Sequence, residues 1–247
     1  MGWAMPMTEP DAWVGMWVYL STTPLLGLTL TLAVYGVAYR LYAFAQFNPL
    51  VNPVAVSIIL MAGVLTLTAT PYTTYFAGAQ FVHFLLGPAT VALAVPLVEQ
   101  WDRLRKLWWP LLAGLVAGTV TGTVSAVVLA RWLGASDATI ASLAPKSVTT
   151  PVAMGIAEQL GGLPSLTAVL VVCTGVVGAA TGRFVLDALR ITDPAVRGFA
   201  LGVAAHGIGT ARAFQVSETM GAFAGLAMGM TALFSALALP WLVRWML

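Results

Sequence analysis

The sequence predicts an all-α, polytopic membrane protein with about six spanning helices, two or more broken or re-entrant helical segments and an inverted internal repeat. Three observations carry this reading. Of the 247 residues 60% are hydrophobic and 8% are charged, with a mean hydropathy of +0.91, so most of the surface cannot be kept in water. Long apolar runs recur from end to end. Between them lie two stretches that are too polar for simple spans and too apolar for solvated loops.

A spanning helix needs about 20 largely apolar residues, and the segments read as spans are 24–42, 53–68, 75–98, 107–132, 164–182 and 220–245. Ahead of them, residues 1–23 hold Glu9 and Asp11 and no basic residue. That fits neither a cleaved signal nor an Arg-rich transit peptide, and an interfacial segment is expected, with Trp3, Trp13 and Trp17 at headgroup level. Residues 24–247 then form a single transmembrane domain.

Basic residues in short loops mark the cytoplasmic side. Arg103, Arg105 and Lys106 in WDRLRK form one such loop, and Arg183, Arg190 and Arg197 mark a second. Placing both inside makes 135–160 enter and leave from the outer face and 196–217 from the inner one. A repeat of about 60 residues agrees with this: GLVAGTVTG (114–122) resembles TGVVGAATG (174–182), and each is followed by an Asp-bearing loop (Asp137, Asp193) and a broken segment. Inverted repeats with interrupted helices meeting near the midplane are the common design of secondary transporters.

Irregular backbone at membrane depth persists only where protein or a water-filled cavity satisfies it. Four stretches have that character: NPLVNP (48–53), LLGPATVALAVP (85–96), LAPKSVTTP (143–151) and AAHGIGTAR (204–212). In LAPKSVTTP, Pro145 and Pro151 interrupt the helix while Ser147, Thr149 and Thr150 offer hydroxyls. Lys146 adds a full positive charge, so a carboxylate is the ligand such a site favours. AAHGIGTAR repeats the logic: Gly207 and Gly209 allow close approach to the backbone, Thr210 adds a hydroxyl and Arg212 a forked cation. His206 is the group there that titrates near neutrality and is a candidate for proton coupling, together with Glu158 and Glu218. Packing is the competing reading for His206, snorkelling for Lys146 and Arg212, and a solvated helix end for the two glutamates. Asn48 and Asn52 either line a cavity or cap the next helix.

Other classes fit poorly. A net charge of +2 with scattered basic residues leaves no nucleic-acid footprint. The single cysteine, Cys173, permits no intrachain disulfide and reads as a small buried apolar residue. Ser147 has no paired histidine at helical spacing and no His, Asp and Glu cluster has ligand spacing, so no catalytic residue, metal or cofactor is expected.

The motifs NPLVNP, FLLGPATVALAVPL, LAPKSVTTPVAMGIAEQLGG, AAHGIGTARAF and GLAMG, in this order, resemble the LrgB/CidB family of bacterial membrane proteins, over about 25–239. The same domain is similar to the C-terminal part of the plant plastidial glycolate/glycerate translocator. The resemblance implies a multi-pass protein of the bacterial inner membrane, commonly paired with a separate LrgA/CidA-like polypeptide and expected to form homo-oligomers. Two functions follow from it. One is a secondary transporter of small carboxylates such as pyruvate, glycolate or glycerate; the other is a holin- or antiholin-like regulator of murein hydrolases and autolysis.

Overall fold

The structure, a computed structural model, describes residues 24–48, 51–85, 88, 91–92 and 94–246. The expected interfacial segment and five of the twelve residues of LLGPATVALAVP lie outside these residues. The described elements are helical throughout, and the chain divides into two compact units, 1–90 and 91–247.

In the first unit, α1 (Pro24–Phe44) packs against α2 (Pro53–Leu67) and α3 (Tyr72–Phe84). Thr31 and Tyr75 share a hydroxyl–hydroxyl bond of 2.9 Å. Gly27 makes this packing close, because a Cβ there would stand 2.4 Å from the Tyr75 carbonyl oxygen. Asn52 caps α2, its Oδ1 accepting from the N–H groups of Val54 and Ala55 at 2.9 and 3.3 Å, and Pro53 follows at the first helical turn, where its missing N–H costs nothing.

The second unit holds α4 (Ala94–Glu99), α5 (Trp101–Trp132), α6 (Asp137–Leu143), α7 (Thr150–Gln159), α8 (Pro164–Ala188), α9 (Pro194–Val216) and α10 (Glu218–Met246). Helices α5 and α10 run side by side in the same direction. Leu111 and Leu115 share a core cluster with Phe223 and Ala227, while further along Val127 and Ala130 cluster with Val243. Exposed tryptophans mark both ends: Trp101, Trp108 and Trp109 at one, Trp132, Trp241 and Trp245 at the other. At 1.5 Å per residue, Trp108 and Trp132 are about 36 Å apart along α5, the spacing of two interfacial aromatic belts.

Among the described residues four helices, α1, α5, α8 and α10, are long and apolar enough to cross a membrane, against about six spans expected. Of the other two expected spans, 53–68 corresponds to α2, which has 15 residues, and 75–98 begins within α3, which has 13, and continues through residues outside the description.

Both polar stretches fold as helical hairpins. In the first, α7 returns along α6. A Cβ on Gly162, just past α7, would stand 2.8 Å from the Ser142 nitrogen, and Ser142 Oγ accepts from the Leu163 N–H at 2.7 Å. The second hairpin is hidden inside α9. Ala205 (φ −128°, ψ 16°) and His206 (φ 41°, ψ −133°) leave the helical region, and beyond them the chain doubles back. A Cβ on Gly209 would lie 2.7 Å from the Leu201 carbonyl oxygen, although eight residues of straight helix would separate them by about 12 Å. The contacts with α10 reverse accordingly: Gly198 meets Met220 and Gly202 meets Ala224, whereas Gly207 meets Met228 and Gly221 meets Phe214.

The glycines of the two similar runs set the surrounding order. Gly114 and Gly118 of α5 face Phe199 and Val203, so α5 runs parallel to the first half of α9; Gly175, Gly178 and Gly182 face His206, Ala205 and Leu201, so α8 runs against it. Each run therefore opens a helix–hairpin unit, and the leading helices, α5 and α8, point in opposite directions. This is the arrangement an inverted repeat produces.

Candidate functional site

The two hairpin tips converge on the middle of α8. His206 is buried, and its Nε2 lies 2.9 Å from the Val171 carbonyl oxygen, with Gly175 leaving room for the ring. The side chain of Val171 belongs to the same buried cluster as Val148, on the tip of the first hairpin. One residue of α8 thus bonds the second tip and shares a core cluster with the first.

Beside them is a cavity of about 780 Å³. Its α5 wall runs from Leu107 to Gly122, about 22 Å of helix, its α8 wall includes Cys173, Thr174 and Gly178, and the first half of α9 contributes Val196 to Ala204. Lys146 and Ser147 come in from the tip between α6 and α7, just past Ala144, whose carbonyl oxygen lies 3.4 Å from Thr123 Oγ1 of α5. Lys146 is the charged residue of this lining, and its Nζ donates to Ser147 Oγ at 3.4 Å. A positive charge at one end of a largely apolar passage suits a small anion that carries an apolar or hydroxylated remainder.

The remaining sequence candidates are distributed around this centre. Thr149 is at the N-cap position of α7 without a side-chain cap bond, and Thr150 is the first residue of that helix; both are half-buried and outside the lining. Thr210 Oγ1 donates to the His206 carbonyl at 2.8 Å, which steadies the second tip. Gly207 sits against Met228, and Gly209 permits the hairpin's return. Arg212 is half-buried, donates to Gln215 Oε1 at 3.1 Å and does not line the cavity. Glu158 and Glu218 are exposed. Asn52 caps α2, and Asn48, also in the first unit, is exposed.

Cys173 corrects an expectation: it is exposed and stands in the cavity wall. Hydropathy placed its segment in the membrane but did not say which face met the cavity. The glycines of α5 and the Phe199 and Val203 stripe were missed as lining residues, although the spacing of Gly114, Gly118 and Gly122 was their signal.

At the end where WDRLRK begins α5, Arg103 donates to Asp193, the N-cap of α9. Asp193 Oδ1 also accepts from the Ala195 and Val196 N–H groups at 2.8 and 3.2 Å. Partial desolvation works against its charge, but these two N–H groups and the Arg103 guanidinium outweigh it and hold the carboxyl below its usual range. The contact puts both basic loops at one end of the unit.

Opposed helices, two hairpins meeting at mid-helix and aromatic belts at both ends define a membrane-embedded helical protein of the inverted-repeat class. The model of the LrgB-like family matches residues 31–245. The chain belongs to that family. It is 35% identical over 224 residues to the uncharacterized protein YwbG of Bacillus subtilis (strain 168), covering 90% of this chain and 98% of the relative. It is 31% identical over 218 residues to the antiholin-like protein LrgB of Bacillus mycoides (strain KBAB4), and 30% identical to the protein of that name from Bacillus cereus (strain B4264), covering 88% of this chain and 95% of the relative in each case. No solved structure matches.

Proposed function

We propose that the chain is a secondary transporter of small carboxylates, with Lys146 and Ser147 receiving the anion between the hairpin tips. The observation that carries this reading is the position of Lys146. A cation at mid-membrane is costly unless it serves a ligand or pathway, and this one stands in a cavity wall at the point where the inverted units meet. Ser147 is the hydroxyl donor beside it, since the Thr174 proton in the same lining is held by the Leu170 carbonyl, and His206, beside the same turn of α8, is the candidate proton carrier. Localisation to the bacterial inner membrane belongs to this reading, as does the absence of enzymatic activity.

The relatives' names favour a second reading at least as strongly: an antiholin-like regulator, acting with an LrgA/CidA-like membrane partner and in homo-oligomers. That role requires pairing surfaces and does not require a cation in a cavity. Uptake of labelled pyruvate, glycolate and glycerate into proteoliposomes that contain only this chain separates the two. Uptake that disappears with Lys146→Gln supports the transporter; lack of uptake of all three by a folded wild-type chain overturns it in favour of the regulator.

A further inference from the structure

Three buried hydroxyls have no hydrogen-bond partner among the described residues: Thr119 on α5, and Thr231 and Ser235 on α10. Their residues are 5%, 1% and 0% exposed. A serine or threonine within a helix ordinarily satisfies its hydroxyl on the carbonyl four residues earlier, as Thr167, Thr174 and Thr181 do in α8. An unsatisfied buried hydroxyl is destabilising, so three in one region require a reason.

Their placement supplies one. The buried stripe of α5 reads Leu111, Leu115, Thr119, Thr123, Val127, and that of α10 reads Ala227, Thr231, Ser235, Leu239, Val243. The helices run parallel, with Leu115 clustered with Ala227 at one end and Val127 with Val243 at the other. The offset between the stripes grows by about one helical turn from the first end to the second, so the register carries Thr119 to a level between Thr231 and Ser235, and Thr123 to one between Ser235 and Leu239. Hydroxyls occupy the middle of both stripes and apolar side chains the flanks. Thr123 Oγ1 in turn lies 3.4 Å from the Ala144 carbonyl oxygen, at the end of α6 where the helix breaks.

We propose that this layer binds a monovalent alkali cation, sodium above all. Hydroxyl oxygens and the carbonyls of a broken helix are hard, neutral donors, and such breaks coordinate sodium in membrane carriers. No group of three or more His, Cys, Asp or Glu is present among the described residues. With a neutral donor set, a divalent ion would remain uncompensated at this depth, whereas one positive charge is the least costly to bury. The inference rests on the transport reading only for its purpose: a cation against the first hairpin tip would couple ion entry to the position of Lys146.

The test is the thermal unfolding of the purified full chain in detergent, in sodium, potassium and choline chloride at equal ionic strength. The wild type should melt about 5 °C higher in sodium. Thr231→Val and Ser235→Ala should lose that shift while melting in choline no lower than the wild type, since they remove an unsatisfied hydroxyl with little change of shape. Ser125→Ala, at an exposed position of α5, should keep the shift. Equal midpoints of the wild type in the three salts, or a sodium shift that survives in a folded Thr119→Val/Thr231→Val double variant, overturns the proposal. Should a valine variant fail to fold, the wild-type salt series decides, with Thr231→Ser expected to retain the shift. A sodium shift without carboxylate uptake leaves the site standing and removes the transport reading; uptake without a sodium shift does the reverse.

Discussion

His206 reaches the Val171 carbonyl through Nε2 at 2.9 Å while its own backbone sits at φ 41°, ψ −133°, a region that side chains with a Cβ adopt only under constraint. The bond and the strain oppose one another, and two substitutions separate them. His206→Gly gives up the bond but relaxes the backbone, so its thermal midpoint should stay within a few degrees of the wild type. His206→Ala gives up the bond and keeps the strain, and should lose about 1–3 kcal/mol. Equal stability of the two variants would show that the turn is not strained.

Lys146→Gln removes the charge from the cavity wall. If the anion sits there, substrate binding should weaken by about 2 kcal/mol or more, roughly 30-fold, while the protein reaches the membrane normally. Titration of pyruvate, glycolate and glycerate onto the purified variant measures it directly. Wild-type affinity for whichever of these the parent binds would dismiss the site.

Two glycines separate packing from function. Gly202→Ala would drive a methyl to 2.2 Å from the Ala224 carbonyl oxygen, which is backbone and cannot rotate aside; a loss of about 1–3 kcal/mol is expected from denaturation midpoints. Gly122→Ala meets nothing within 4 Å and should fold as the parent does, even though it narrows the cavity beside Lys146. A destabilised Gly122→Ala would contradict the open groove.

The pairing of Arg103 with Asp193 fixes a topological outcome. In a Cys173→Ser background, single cysteines at Arg105 and Arg190 should react with impermeant reagents from one side of the membrane and a cysteine at Ser136 from the other. Labelling of the first two from opposite faces is incompatible with the fold.

Asp193 also sets an acid limit. Its carboxyl is held below the ordinary value of 3.8, so its stabilisation is complete above that pH and is lost as the pH falls through the lower folded-state value. With the side chain 46% exposed, the ion pair counts for little and the α9 cap contributes about 1 kcal/mol. Asp193→Ala should therefore lower the midpoint at pH 7, and the difference from the wild type should shrink as the pH is taken progressively below 3.8, as melting curves over that series would record.

The breaks were legible because prolines and glycines act through the backbone: Pro145, Pro151, Gly207 and Gly209 mark both hairpins whatever surrounds them. Span number was less so. Hydropathy measures how apolar a run is, whereas α2 is delimited by Asn52 and Pro53 at one end and by the positive φ of Ala69 beyond the other, features that cost little in a hydropathy sum. Arg212 shows a limit of adjacency. Six residues past His206, helical rotation of about 100° per residue turns it well away from the tip, toward Gln215. The orphan hydroxyls could not have been seen, since whether a threonine bonds its own helix or faces an unpaired neighbour is settled only by packing.

The chain has one sulfhydryl, and it opens onto the cavity that holds Lys146. Nature has therefore installed a probe where a spectroscopist would have put one. A water-borne maleimide reads the wetting of the passage as a rate, a fluorophore on Cys173 reads the rearrangement of α8 against the hairpin tips as a change in emission, and protection by a bound anion reports occupancy without any isotope.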